Sequence, residues 1–415
     1  MLLLAIPLMV AVAVLAVAWG YATSWAIRPR RLVVVVVVVI GSYFMLSTIA
    51  VSFRQKQAAA FPSRLHVAAG RLLDENNHDV GVLRGFNVHV AATPSDTGFV
   101  WSQADYTAMS AIGTKLVRHI VHWDAFEQQP GVVNPTAIAS LDTAIARARA
   151  AGIYTTLSIH LNVGREPAWA RTTGNELSDY MAHGRTLTQY LAKRYKDEKA
   201  VIGLNINEPP VVSLDTILND YVAMVPWWQA SAPLWPVWVA PSAYGNGTPY
   251  PSSGTQVSTA RLKALDTQNR GVIVEWHDYL NAAGSNGTYQ SNGEIAPIQQ
   301  SSSFTAQFQG RGGNYNYPNT AQTRTDFANA IAPHSKLVAT SGTFTLAIGE
   351  FGMDNMLSGE PAFVADKATA YRTSNATIEL WWNYDTTGNT TNNPWAARPN
   401  GTWRPSIVQW MKTAP

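Results

Sequence analysis

The sequence contains no cysteine. That excludes a disulfide framework, a thiol nucleophile and any metal site built on thiolates. Charge is scarce too: charged side chains make up 14% of the 415 residues, and the net charge is +3. The single compact basic cluster, Arg28-Pro29-Arg30-Arg31, is too small to track a phosphate backbone, so no nucleic-acid partner is expected. No Gly-rich phosphate loop follows the first strand-like run, which argues against a doubly wound nucleotide-binding sheet. No G-x-S-x-G elbow is present, which removes that serine-hydrolase signature. His119 and His122 are three apart in an extended run, so they face opposite sides and cannot share a metal. Neither a metal nor a cofactor is expected.

Tryptophan, by contrast, is plentiful. There are 15, and 13 of them lie beyond residue 60. Such rings serve either a Trp-rich core or a groove for ligands with alternating polar and apolar faces.

Two long uncharged runs open the chain. Residues 1–27 are mostly apolar, and Leu32 to Phe53 includes seven consecutive valines. Each reaches the ~20 residues that a bilayer core requires. Valine favours strands in water, but in lipid the backbone has to satisfy itself, so transmembrane helices are expected over about 1–27 and 32–53. The first run lacks the charged start of a cleaved leader and is too long for one. Residues 1–56 are therefore read as a membrane anchor, 57–66 as a linker and 67–415 as a barrel domain. Three arginines within Arg28–Arg31 place the connecting loop in the cytoplasm by the positive-inside rule. Both chain ends then face outward, and the barrel lies at the cell membrane, outside the cytoplasm.

Beyond the linker, strand-like and helix-like runs alternate. The strands are expected at Val80–Val88, Lys115–Trp123, Tyr154–His160, Val201–Glu208, Trp235–Ala240, Gly271–Tyr279, Thr345–Phe351 and Thr377–Asp385. Helices are expected at Thr136–Ala151, Asn175–Tyr195 and Leu214–Ala230, where apolar residues recur at three and four spacing. Eight such strands separated by helical runs imply an α/β fold, a (β/α)₈ barrel. Residues 281–318, rich in Ser, Asn, Gly, Gln and Tyr, break the rhythm and are read as a long loop after the sixth strand, either a disordered insertion or a lid or wall of the site.

Active sites of such barrels form at the C-terminal ends of the strands. Polar residues fall there in order. Arg118 lies on the second strand, and His160 ends the third. Asn207 and Glu208 end the fourth, immediately before Pro209 and Pro210, which stop the strand. His277 and Tyr279 share one face of the sixth. Glu350 ends the seventh, and Trp381 and Trp382 the eighth.

This set resembles glycoside hydrolase family 5, within the wider clan of retaining (β/α)₈ glycosidases. The motifs that carry it are Asn207-Glu208-Pro209, the Trp276-His277-Asp278-Tyr279 stretch, and Glu350 within Gly349-Glu350-Phe351-Gly352. The resemblance implies that Glu208 is the general acid/base and Glu350 the nucleophile. It implies that Asn207 holds the sugar 2-hydroxyl and that Arg118 and Tyr279 bond to Glu350. His160 and His277 would line the subsite for the cleaved sugar. Trp382 would be its stacking platform, with Trp381 the alternative if the register slips by one.

The chemistry suits this pair. Glycoside hydrolysis needs a proton donor for the leaving oxygen and a second carboxylate below the ring. The environment has to keep the first protonated and the second ionised. The expectation is a membrane-anchored, monomeric, retaining glycoside hydrolase acting on a β-linked glycan or glycoconjugate. Two rivals stand beside it: an inactive carbohydrate-binding barrel, and a membrane-tethered scaffold.

Overall fold

The chain divides into two units, residues 1–60 and 61–415. The computed structural model describes 61–90, 101–161, 166–173, 176–207, 214–240, 259–279, 281–282, 289–290, 341–352, 359–384 and 396–413, with isolated positions between 321 and 335. The two long apolar runs lie outside the described residues, as does most of the 281–318 loop. Among the described residues, no helix is long and apolar enough to cross a membrane.

Eight parallel strands form the barrel. They are β1 (Leu83–His89), β2 (Leu116–His122), β3 (Tyr154–His160), β4 (Val201–Asn207), β5 (Val237–Val239), β6 (Val272–Tyr279), β7 (Phe344–Gly352) and β8 (Ala376–Trp381). Neighbours in the sheet are neighbours in sequence, and β8 pairs with β1. That order is a barrel's, with β4 and β5 left to meet. They approach at Gly203, where an added Cβ would stand 3.7 Å from the Trp238 ring. The strand expected over Trp235–Ala240 is shorter, because Pro236 has no N–H for the ladder and pairing begins at Val237.

Helices cover the outside. They include α1 (Gln103–Ala111), α2 (Pro135–Ala150), α3 (Glu176–His183), α4 (Arg185–Tyr195), α5 (Leu214–Gln229), α6 (Thr259–Leu265), α7 (Glu360–Thr373) and α8 (Pro405–Lys412). The Asn134 side chain caps α2 by accepting from Thr136 N at 3.0 Å. The single helix expected over Asn175–Tyr195 is instead two, α3 and α4. They meet at Gly184, where a Cβ would lie 2.3 Å from the Tyr180 ring. Only glycine lets the chain pass that close.

Inside the barrel the N-terminal half is apolar. Leu83, Leu116, Tyr154, Ile202, Trp238, Ile273, Ala347 and Ile378 form one buried cluster. Leu65, Val67 and Leu72, on and beside the hairpin of His66–Ala68 and Arg71–Leu73, belong to it and close the base. Val67 N donates to Arg270 O at 2.8 Å. With its base closed by apolar packing, the barrel's polar interior lies at the C-terminal end.

Candidate active site

Side chains alternate across a strand, so one face runs from the apolar base to the mouth; on β4 a shift in its pairing with β3 carries that face from Ile202 to Asn205 and Asn207. On β1 the sequence Leu83, Gly85, Asn87, His89 follows that face, and on β2 it is Leu116, Arg118, Ile120, His122. β3 ends in His160, β4 in Asn205 and Asn207, and β6 in Glu275 and His277. All of these polar groups except His89 are fully or nearly fully buried.

β7 needs a device to join them. Strict alternation from Thr345 and Ala347 would turn Glu350 outward. The pairing with β6 shifts instead: Trp276 pairs with Ile348, and the next residue, His277, pairs with Glu350. Gly349 is the extra residue of a bulge. The bulge turns Glu350 inward and sends Phe351 outward against Tyr371, Trp381 and Trp410.

Glu350 is wholly buried. Arg118 Nη1 donates to its Oε1 at 2.7 Å, and Asn207 Nδ2 donates to the same oxygen at 3.3 Å. His160 Nε2 lies 3.8 Å from Oε1, and His277 Nδ1 lies 3.4 Å from Oε2. Arg118 is itself held by Asn87, whose Oδ1 accepts from Nη1 at 2.8 Å. Asn87 Nδ2 in turn donates to Gly349 O at 2.9 Å, which ties the bulge to β1.

The second amide proton of Asn207 faces His160 Nε2 at 3.2 Å. That contact requires an unprotonated Nε2 and hence a neutral ring. Burial, and after it the charge of Arg118 and the neighbouring His122, His89 and His277, hold His160 well below the usual histidine range. Trp382 is half-buried at the end of β8, and its ring stacks over His160 at 6.0 Å and 17°. Trp381 points the other way and is buried in the outer core. Of the two tryptophans, only Trp382 stands in the mouth.

The structure thus brings Arg118, His160, Asn207, His277, Glu350 and Trp382 together. Tyr279 ends β6 in the expected place, but its side chain lies outside the described residues, and so does Glu208. Among the described residues, no group of three or more His, Asp or Glu is placed to hold a metal ion. His119 and His122 do face opposite ways. His119 is buried with Nε2 3.0 Å from the Tyr106 hydroxyl on α1, while His122 Nε2 lies 3.1 Å from His89 Nδ1 in the mouth.

Sequence reasoning missed Asn87, His89, Asn205 and Glu275. Glu275 is the largest omission. Arg118 Nη2 lies 2.8 Å from its Oε1, and Asn205 Nδ2 donates to its Oε2 at 2.7 Å. Burial pushes its pKa up, but Arg118, His277 and Trp238 more than offset this and leave it below the ordinary carboxylate value. Its signal was the two-residue period of Glu275, His277 and Tyr279 on one face of β6. Chemically, the site offers two buried carboxyl groups around a guanidinium, a neutral imidazole at His160 and an aromatic platform. That combination suits a polyhydroxylated ring.

The family model described as Cellulase (glycosyl hydrolase family 5) matches residues 73–388, which include all eight barrel strands. No curated protein sequence matches the chain. Solved structures share its fold at low identity. An endogalactoceramidase superposes with a TM-score of 0.61 at 18% identity, covering 84% of each chain. Endo-glycoceramidase II from Rhodococcus sp., with a cellobiose-like isofagomine, gives 0.59 at 17% identity over 82% of this chain and 80% of that one. Thermotoga maritima Cel5A with mannotriose gives 0.57 at 13% identity over 80% and 97%. On the family match and the barrel that carries it, the chain belongs to glycosyl hydrolase family 5 and is a glycoside hydrolase.

Proposed function

We propose that the chain hydrolyses β-glycosidic bonds of a glycan or glycoconjugate with retention of configuration. Glu350 is the nucleophile and Glu208 the general acid/base. The observation that carries the reading is the buried contact of Arg118 with Glu350 at 2.7 Å, shared with Asn207 at 3.3 Å. Arginine stays charged and offers only donors, so the oxygen facing it serves as an acceptor. A carboxylate held in this way can attack the anomeric carbon. Glu208, next in sequence to Asn207, gives a proton to the leaving oxygen and then takes one from water. Asn207 serves the 2-hydroxyl, and Trp382 stacks against the sugar face. The reading places the two carboxyl groups about 5–5.5 Å apart, the spacing of a retaining pair.

The location is part of the same proposal. The two uncharged runs before residue 54 anchor the chain in the cell membrane, and Arg28–Arg31 stays inside. The barrel works outside, as a monomer. Two of the similar solved structures are by name an endogalactoceramidase and an endo-glycoceramidase. An anchored barrel favours a substrate held at a membrane surface, so glycosylceramides belong beside β-glucans and β-mannans in any substrate screen.

The test is the anomer formed first, followed by NMR during hydrolysis by the full chain in detergent. A first product of inverted configuration would overturn the retaining mechanism. No turnover on any β-linked substrate would favour a binding barrel or a scaffold. Protease added to intact cells should remove the barrel, and a protected barrel would reverse the topology.

A further inference from the structure

We propose that Glu275 is a positioning residue for Glu350: its carboxylate fixes the Arg118 guanidinium and the His277 ring, and through the guanidinium the Glu350 carboxylate. The inference rests on the reading of Glu350 as nucleophile.

Glu275 sits beneath the site with no exposed surface. Four groups converge on it. Arg118 Nη2 and His277 Nε2 stand 2.8 and 3.0 Å from Oε1. Asn205 Nδ2, at 2.7 Å, and Trp238 Nε1 donate to Oε2. Arginine and the indole are donors only, so each carboxyl oxygen has to accept. His277 then presents Nε2–H to Glu275, and its other nitrogen, Nδ1, lies 3.4 Å from Glu350 Oε2. The bond to Glu275 holds the ring in one orientation. Arg118 is spread in the same way. One Nη serves Glu275 and the other serves Glu350 and Asn87.

The backbone is adapted to this carboxyl. A Cβ at Gly349 would stand 2.2 Å from Glu275 Cδ. The bulge residue that turns Glu350 inward is therefore glycine where the Glu275 carboxyl packs. An ion pair serving stability alone has no need to share its cation with Glu350 or to lie against the residue preceding it.

Glutamine at this position is isosteric but cannot replace it. Its amide nitrogen would have to face either Trp238 or Arg118, and neither can accept. In the full-length protein, Glu275→Gln should lower kcat roughly 10- to 100-fold, the range seen for groups that orient a reacting side chain, with KM nearly unchanged. Covalent labelling of Glu350 by a 2-deoxy-2-fluoro-β-cellobioside bearing a dinitrophenolate leaving group should slow in parallel, because labelling reads the attacking step alone. Folded Glu275→Gln protein with both rates within threefold of the unmodified enzyme would overturn the proposal.

If that variant does not fold, Trp238→Phe removes one donor and keeps the ion pair. A fall in labelling rate of about three- to tenfold is expected, and an unchanged rate would overturn the proposal. A further readout does not need activity. In ¹⁵N NMR of histidine-labelled protein, His277 should show the Nε2–H form, and Trp238→Phe or Glu275→Gln should alter that signal. A His277 signal indifferent to both changes sinks the positioning role. Absence of Glu350 labelling in the unmodified enzyme, with a responsive His277, sinks only the nucleophile reading.

Discussion

Arg118 Nη1 lies 2.7 Å from Glu350 Oε1, and neither side chain has any exposed surface. The same guanidinium meets Glu275 and Asn87, so one planar fork organises three acceptors on β1, β6 and β7. Lysine keeps the charge but not the fork. Arg118→Lys should fold and lose roughly 10²-fold or more in kcat, as removal of a preorganised charged donor does. Arg118→Ala leaves two buried carboxylates without their cation and should cost about 3–5 kcal/mol of stability. Steady-state kinetics with denaturant unfolding measures both. An Arg118→Lys enzyme of near-normal kcat would remove Arg118 from the mechanism.

Stability should fall in mild acid because of His119. Burial lowers its pKa from 6.5 to about 3. The folded value is depressed, so between these limits the unfolded chain binds a proton that the native state does not. Stability is then full above about pH 6.5 and is lost as pH falls, by about 1.4 kcal/mol per pH unit for this one group. His160, also held low by burial, acts in the same sense. His119→Gln should flatten the slope of unfolding free energy between pH 6.5 and 4 by one proton's worth. An unchanged slope would show that His119 does not titrate on unfolding.

A second buried pair should separate stability from catalysis. On the outer side of the barrel wall, Glu379 Oε2 accepts from Arg84 Nε at 2.8 Å and Trp410 Nε1 at 2.9 Å, which ties β1 and β8 to α8. Glu379→Ala leaves Arg84 buried and unpaired and should cost about 3–5 kcal/mol. Because the pair touches none of the groups around Glu350, kcat per folded molecule should stay unchanged. A selective loss of kcat without loss of stability would contradict that separation.

Much of the barrel was legible because its strands are apolar runs ending in polar residues, and a barrel puts those ends together. His160, Asn207, His277 and Glu350 lie at or near such ends, and Arg118 stood out as the one charge within the apolar run Leu116–His122. What stayed hidden has physical reasons. Glu275 lies in mid-strand, where a charge reads as an interruption unless its partner on another strand is known. The inward turn of Glu350 depends on the bulge at Gly349, and alternation alone would have placed that side chain against the helices. The break at Gly184 reflects a clash with the Tyr180 ring that periodicity does not encode.

The two glutamates should fail differently. Replacing Glu350 with Gln keeps its size but removes the attacking oxygen. No covalent intermediate can form, so activity should collapse on every substrate. Replacing Glu208 with Gln removes only the proton donor. A poor leaving group needs that proton to depart, whereas an acidic phenol leaves with little help. Loss in Glu208→Gln should therefore be severe on a natural glycan and much smaller on a dinitrophenyl glycoside. With the activated substrate the second step becomes limiting, because the base that activates water is gone as well. Azide needs no such base. Added to Glu208→Ala, it should restore turnover and yield a β-glycosyl azide, the product of two inversions. Rates for both variants across a series of leaving groups, with and without azide, decide the matter. Equal losses on every leaving group would show that the roles are not divided as assigned, and an α-glycosyl azide from Glu208→Ala would show that no glycosyl-enzyme lies on the path.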